Sequence, residues 1–139
     1  MAVNKAVNAG LVVAAAGNTD ACNVKYPAFY QEVISVGAID EKDNIDEFSS
    51  VGKVDYCAPG VDIISTFSNG CYATMSGTSM AAPYTTGVLA LMFSDIRNDL
   101  NCDGIVSADE VKKAIEKQVE DIGVEGYDKF YGSGILKAR

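Results

Sequence analysis

A polar turn that runs directly into a long apolar stretch constrains the fold of this chain more than any other feature. Residues 75–83 read Met-Ser-Gly-Thr-Ser-Met-Ala-Ala-Pro, and the run Val-Leu-Ala-Leu-Met-Phe follows at 88–93. A helix with so little polar surface is typical of the interior of a domain. The sequence therefore predicts a central helix over residues 78–98, with Ser79 in its first turn.

The position of Ser79 has two interpretations. Free backbone N–H groups and the helix dipole favour negative charge at a helix N-terminus. A serine at this position can attack a carbonyl carbon while its own N–H stabilises the oxyanion that forms. The simpler alternative is that a hydroxyl of this turn only caps a buried helix.

Three other segments support the first interpretation. Residues 77–83, Gly-Thr-Ser-Met-Ala-Ala-Pro, resemble the nucleophile motif of the subtilisin-like serine proteases, the subtilases. Matching segments occur in the family's order: Ala-Ala-Ala-Gly-Asn at 14–18, Phe-Ser-Ser-Val-Gly at 48–52 and Ala-Pro-Gly at 58–60. The resemblance extends from about residue 6 to residue 138. It departs from the family pattern at Tyr84, where a histidine that is not the catalytic one usually follows the proline.

The resemblance implies an α/β fold with a mainly parallel sheet flanked by helices, the C-terminal portion of a subtilisin-like fold. It implies a serine endopeptidase that acts through an acyl-enzyme, with Ser79 as nucleophile and Asn18 as a side-chain donor to the oxyanion. Apart from the resemblance, Gly-Asn after a strand is simply a favourable turn.

The resemblance also assigns residues that bind a peptide or protein substrate. One side of the pocket for the P1 side chain would be lined by Ala14, Ala15, Ala16 and Gly17. Lys25 directly precedes Tyr-Pro and would lie near the base of that pocket, where it would favour acidic or polar side chains. The alternative is that Lys25 simply faces solvent.

Histidine is absent from the sequence, although the subtilase triad is Asp-His-Ser. We therefore expect residues 1–139 to be the C-terminal part of a subtilase catalytic domain, inactive without a missing N-terminal half that carries the aspartate and histidine. Alternatives are a non-catalytic, calcium-dependent binding or regulatory module, or an inactive structural fragment that pairs with a second copy as a dimer.

The net charge of −8 makes nucleic acid and anionic membranes unsuitable partners, and no apolar run is long enough for a membrane span. The family resemblance implies a secreted or cell-surface protein. Among the four cysteines, Cys57 reads as a buried free thiol. Cys22 and Cys71 lie in turn-like segments and are the more favourable disulfide pair.

Residues 99–110 match the calcium-loop pattern D-x-[DN]-x-[DN]-G-x5-E at every specified position. The pattern predicts an EF-hand-like loop whose glycine, Gly104, allows a sharp turn. The predicted calcium ligands are Asp99, Asn101, Asp103, the Ile105 carbonyl, Ser107 and Glu110. The alternative is a loop between two helices in which Ser107 and Glu110 form only a capping box.

Periodicity and turn signals predict the remaining elements. A helix is expected over residues 2–8, a strand buried on both faces over 11–16 and another strand over 33–39. A hairpin is expected from 61–66 and 71–75 around Asn-Gly at 69–70. A last helix is expected over 107–121, with an apolar stripe of Val111, Ala114, Ile115 and Val119.

Overall fold

The computed structural model describes residues 2–20 and 22–137. The helices are α1 (Ala2–Ala9), α2 (Thr78–Ser94) and α3 (Ala108–Ile115), and single 3-10 turns occur at Ser68–Gly70 and Ile96–Asn98. The strands are β1 (Val13–Ala15), β2 (Ile34–Ile39), β3 (Tyr56–Pro59), β4 (Ile63–Thr66), β5 (Tyr72–Met75), β6 (Val119–Glu120) and β7 (Ile135–Leu136).

Five strands form one sheet in the order β1-β2-β3-β7-β6. The first four in this order run parallel, and β6 pairs antiparallel with β7. All six residues of β2 are buried, as expected for a central parallel strand of apolar and small residues. This architecture confirms the predicted fold class. Because β1, β2 and β3 are parallel, the loops that follow them meet at one edge of the sheet.

Helix α2 packs across the sheet and forms the larger of two apolar cores. Its buried residues Val88, Leu89 and Met92 lie in one cluster with Val36 of β2 and Val111 of α3. The opposite side of α2 is open, and the side chain of Leu91 is 61% exposed. None of the described helices is long and apolar enough to cross a membrane.

The predicted helix over 78–98 is too long by four residues. Asp95 leaves helical geometry, with φ −93° and ψ 104°, and its side chain caps the following 3-10 turn by accepting the N–H of Arg97. The side-chain amide of Asn98 donates to the Met92 carbonyl at 2.7 Å, which also accepts the N–H of Asp95 at the end of α2.

The predicted helix over 107–121 is also too long. Val111, Ala114 and Ile115 form its buried face, but the helix ends at Ile115. Val119 belongs to β6, where it pairs with Leu136 of β7. The same apolar side chain can serve a helix face or a strand face, and here the strand pairing determines the outcome.

The prediction that the first strand is buried on both faces needs correction. Strand β1 is only half-buried, because within the described residues it pairs with β2 alone. The disulfide pairing was left open by the sequence, and the pair it favoured, Cys22 and Cys71, is not formed, since both thiols are free and exposed. Cys57 is a buried free thiol, as predicted. Strands β4 and β5 form the predicted hairpin, and Asn69 lies in its turn at φ 58°.

Candidate active site

Ser79 is the second residue of α2 and is exposed to solvent. The N–H groups in the first turn of a helix have no acceptor within the helix, so the Ser79 N–H is available to a ligand. The turn before it is pressed against the loop after β3, where the Gly77 N–H donates to the Gly60 carbonyl at 2.7 Å. A Cβ atom on Gly60 would lie 2.9 Å from the Gly77 oxygen, so this close approach requires glycine.

Asn18, in the loop after β1, is held beside Ser79 by Thr78. Its Oδ1 accepts the backbone N–H of Thr78 at 3.0 Å and the hydroxyl of Thr78 at 2.9 Å. Because a backbone N–H can only donate, the atom facing it must be the amide oxygen. The amide nitrogen of Asn18 is therefore directed away from Thr78, and a Cβ on Gly77 would lie 3.1 Å from it.

Sequence reasoning did not assign any role to Thr78. This residue is buried, and its hydroxyl also accepts the N–H of Gly17 at 3.1 Å. One hydroxyl thus binds the backbone before Asn18 and the side chain of Asn18. The signal was present in the sequence, since a hydroxyl residue directly precedes the serine of the nucleophile motif.

The residues expected to line the substrate pocket lie in and directly after β1, the strand at one edge of the sheet. Ala14 and Ala15 are half-buried in β1, Ala16 is fully buried, and Gly17 follows at φ 117°. The backbone edge of β1 that faces away from β2 has no strand partner within the described residues. That edge is consequently free to pair with another extended segment.

Lys25 lies beside this strand end. Its N–H donates to the Ala16 carbonyl at 3.3 Å, and its Cγ would be 4.0 Å from a Cβ on Gly17. The side chain is exposed and, among the residues described, has no ion-pair partner. Lys25 therefore supplies an exposed positive charge close to the turn of residues 17–19, the Asn18 turn.

The loop over residues 99–110 contains the predicted sharp turn, with Gly104 at φ 87°. Its side-chain oxygens accept backbone N–H groups within the loop: Asp99 accepts those of Asp103 and Gly104, and Asn101 accepts that of Asp103. The Ile105 N–H donates to Asp103 at 2.8 Å. Each of these oxygens retains a lone pair, so this half of the loop fits a calcium ion.

Glu110 does not fit calcium as it stands. Its Oε1 accepts the N–H groups of Leu100 and Asn101, and its Oε2 accepts the N–H and hydroxyl of Ser107. These four donors, those of Ser107 first, lower the pKa of Glu110 to about 2 and occupy the lone pairs that a bidentate ligand needs. Among the described residues no group of three acidic, histidine or cysteine side chains converges closely enough to hold a metal. Ser107 and Glu110 do form the capping box.

Comparisons with known proteins show which proteins this chain resembles. A family model described as the subtilase family matches residues 1–134. The chain is 45% identical over 133 residues to the thermophilic serine proteinase of Bacillus sp. (strain AK1), covering 94% of this chain and 31% of that protein. It is 35% identical over 139 residues to the minor extracellular protease Epr of Bacillus subtilis (strain 168), covering 98% of this chain and 20% of Epr.

A solved structure gives the same result for the fold. The crystal structure of a lanthipeptide protease matches with a TM-score of 0.86 at 27% identity. The match covers 99% of this chain and 51% of that one. The chain therefore spans about half or less of each of these relatives.

Proposed function

The chain belongs to the subtilase family, and from that premise we propose that the protein containing it is a serine endopeptidase with Ser79 as its nucleophile. The observation that carries the proposal is the pair of hydrogen bonds from Thr78 to Asn18 Oδ1. Because Thr78 directly precedes Ser79, these bonds bring Asn18 to the same turn, and within the described residues neither the Asn18 amide N–H2 nor the Ser79 N–H has a hydrogen-bond acceptor. Two such donors are what a tetrahedral oxyanion needs.

In the proposed reaction, Ser79 Oγ attacks the carbonyl carbon of the scissile peptide bond and transfers its proton to a base. The carbonyl electron pair moves to oxygen, which accepts hydrogen bonds from Asn18 Nδ2 and the Ser79 N–H. The intermediate collapses by expelling the amine, which takes up the proton, and leaves an ester on Ser79. Water then attacks this acyl-enzyme by the same route and releases the acid.

We propose that the base comes from outside these 139 residues, because the subtilase base is a histidine and they contain none. We propose that residues 1–139 are the C-terminal part of the catalytic domain and that an N-terminal half supplies the histidine and aspartate. The open apolar side of α2, which exposes Leu91 and Tyr84, and the free edge of β1 are suitable surfaces for that half. Alone, the chain would be inactive, because an unassisted serine hydroxyl is a weak nucleophile.

We propose that the substrate is a protein or peptide bound along the exposed end of β1, with its P1 side chain beside residues 14–17. The unpaired cation of Lys25, whose stem runs along Gly17, supports a preference for acidic P1 side chains. An exposed charge pair contributes only about 0.2–1 kcal/mol, so the preference should be modest and weakened by salt.

A structural calcium ion in the loop over 99–110 is a second proposal. The complete match of the loop sequence and the free lone pairs of Asp99, Asn101 and Asp103 support it. To bind the ion through both oxygens, Glu110 would have to exchange a donor on each: an N–H of Leu100 or Asn101 on Oε1, and the N–H or hydroxyl of Ser107 on Oε2. The loop lies at the far end of α2 from Ser79, so the ion would stabilise the helix pair and would not contact substrate.

The name of Epr describes that relative as an extracellular protease, and we propose that this protein also acts outside the cell.

The proposed activity is tested by replacing Ser79 with alanine in the intact protein and measuring peptide hydrolysis. Loss of turnover with an unchanged folded structure supports the endopeptidase. Unchanged turnover in Ser79→Ala would mean that a residue other than Ser79 is the nucleophile. No turnover by the wild type favours instead a calcium-dependent binding module, or a structural fragment if calcium has no effect either.

A further inference from the structure

Ser50 binds the Asn18 turn from its buried side. The Ser50 N–H donates to the Gly17 carbonyl at 2.9 Å, and Ser50 Oγ lies 2.7 Å from Thr19 Oγ1. The fit is tight, since a Cβ on Gly17 would lie 2.8 Å from Ser50 Oγ. One fully buried serine therefore binds the residues on both sides of Asn18.

Ser49 connects Ser50 and the Asn18 turn to the centre of the sheet. Its Oγ accepts the N–H of Ala38, a buried residue of β2, at 3.1 Å. Its backbone forms an antiparallel bridge with Asn18 itself. The segment 49–50 is thus fixed to the most buried strand and holds all three residues of the turn.

These contacts are on the opposite flank from those of Thr78. Thr78 orients the side-chain amide of Asn18, whereas Ser50 and Thr19 fix the backbone from which that side chain projects. An exposed asparagine in a loop has rotational freedom, and an oxyanion donor is effective only if it is already oriented. Thr19 is half-buried and Ser50 is fully buried, so separating the two hydroxyls would leave the buried hydroxyl of Ser50 without this partner, and that cost resists displacement.

We propose that Ser50 and Thr19 are positioning residues that preorganise Asn18 as an oxyanion donor. The expected effect on catalysis rests on the proposed function, whereas the expected effect on the structure rests on the contacts of Ser50. It assigns a role to the second serine of the segment 48–52, for which the motif alone supplies none.

Thr19 offers a matched pair of variants for the intact protein. Thr19→Val keeps the branched shape and removes the hydroxyl, whereas Thr19→Ser keeps the hydroxyl and removes the methyl group. We expect Thr19→Val to lower kcat about tenfold with KM unchanged, and Thr19→Ser to restore most of the loss. Complete removal of one such donor in subtilisin, a member of this family, lowers kcat roughly 10²–10³-fold, and a donor that is displaced but still present should cost less.

A double-mutant cycle separates positioning from general destabilisation. In an Asn18→Ala background, Thr19→Val should cause no further loss of kcat, since the donor that it positions is already gone. An equal loss in both backgrounds would overturn the proposal, as would an unchanged kcat in the single variant. If Thr19→Val fails to fold, the double variant Thr19→Val/Ser50→Ala takes its place, because it removes both hydroxyls and leaves neither without its partner. Its loss of kcat is then compared in the wild-type and Asn18→Ala backgrounds.

A crystal structure of the folded variant gives a readout that does not depend on turnover. We expect the Asn18 amide to be displaced from Ser79 in Thr19→Val and to be in its original place in Thr19→Ser. An Asn18 side chain that is unmoved in Thr19→Val would contradict the inference. If the wild type hydrolyses no peptide and Asn18 still moves, the proposed function fails while the positioning role stands.

Discussion

Thr78 binds Asn18 through two hydrogen bonds to one atom, Asn18 Oδ1, across 60 residues of sequence. Thr78, the residue next to the proposed nucleophile, and Asn18, the proposed side-chain oxyanion donor, are therefore joined in one hydrogen-bonded unit. The Thr78 hydroxyl adds a third bond by accepting the Gly17 N–H. The loop after β1 and the start of α2 cannot move independently while these bonds are present.

This unit predicts the effect of changing Thr78. Thr78→Val should lower kcat of the intact protein about tenfold or more, because Asn18 loses one of its two fixed bonds. It should also cost roughly 1–3 kcal/mol of unfolding free energy, since the Gly17 N–H loses its acceptor. Steady-state kinetics and denaturant unfolding measure the two effects. Thr78→Ser is the control, and a Thr78→Val enzyme with wild-type kcat would show that the hydroxyl does not orient Asn18.

Lys25 should set a mild charge preference. In a P1 library, the intact protein should cleave after acidic residues about two- to fivefold faster in kcat/KM than after neutral residues of similar size. The advantage should disappear in Lys25→Gln and decline with added salt. Lys5→Gln, which removes an exposed lysine of α1, should leave it unchanged. An acidic preference that survives in Lys25→Gln would mean that Lys25 only faces solvent.

The loop over 99–110 predicts a dependence of stability on calcium. At about 100 times its dissociation constant, calcium should stabilise the folded state by roughly 2.7 kcal/mol, so a chelator should lower the thermal midpoint by several degrees. Glu110→Gln should abolish this response, whereas Asp109→Asn, an exposed neighbour, should keep it.

The alternative outcome is specific. If chelator leaves the wild-type midpoint unchanged and calorimetry detects no calcium uptake, the loop is closed by Glu110 and its four donors alone. Glu110→Gln would then still lower stability, but equally with and without calcium.

Cys57 should be the unreactive thiol. Burial raises its pKa to about 12 from an ordinary value of 9.0, so the stability gained by keeping it neutral is present below pH 9 and lost as the pH rises towards 12. Alkylation of the folded chain at pH 8–9 should modify Cys22, Cys71 and Cys102 and spare Cys57. All four should react in denaturant. Rapid labelling of Cys57 under native conditions would show that its core opens.

The local sequence pattern predicted the helices and strands of this fold well wherever that pattern is compatible with only one kind of secondary structure. The buried strand β2 and the hairpin around Asn69 agree with the sequence because apolar runs and Asn-Gly turns have few alternatives. The ends of α2 and α3 were missed for a physical reason. Asp95 stops α2 by capping a new turn, and Val119 leaves the helix pattern to pair with Leu136, a partner 17 positions away.

The site shows the same division. Ser79 and Asn18 were identified from the resemblance of their segments, and the structure brings their turns together. The place of Thr78 before Ser79 marked it as a candidate, but its partners Gly17 and Asn18, and those of Ser50, depend on distances between segments far apart in sequence. The sequence offered Glu110 both as a metal ligand and as a member of a capping box with Ser107. Neither pattern reveals that the N–H groups of Leu100 and Asn101 also reach its carboxylate.

The most direct test of the proposed endopeptidase is labelling with a serine-directed phosphonate, followed by mass spectrometry of the peptide that contains Ser79. Under the proposed mechanism, a base supplied from outside residues 1–139 activates the hydroxyl in the intact protein, so we expect stoichiometric modification of Ser79. The isolated chain of 139 residues should remain unlabelled under the same conditions. A folded intact protein with no label on Ser79, or equal labelling of the isolated chain, would contradict a nucleophile that depends on a base outside this chain.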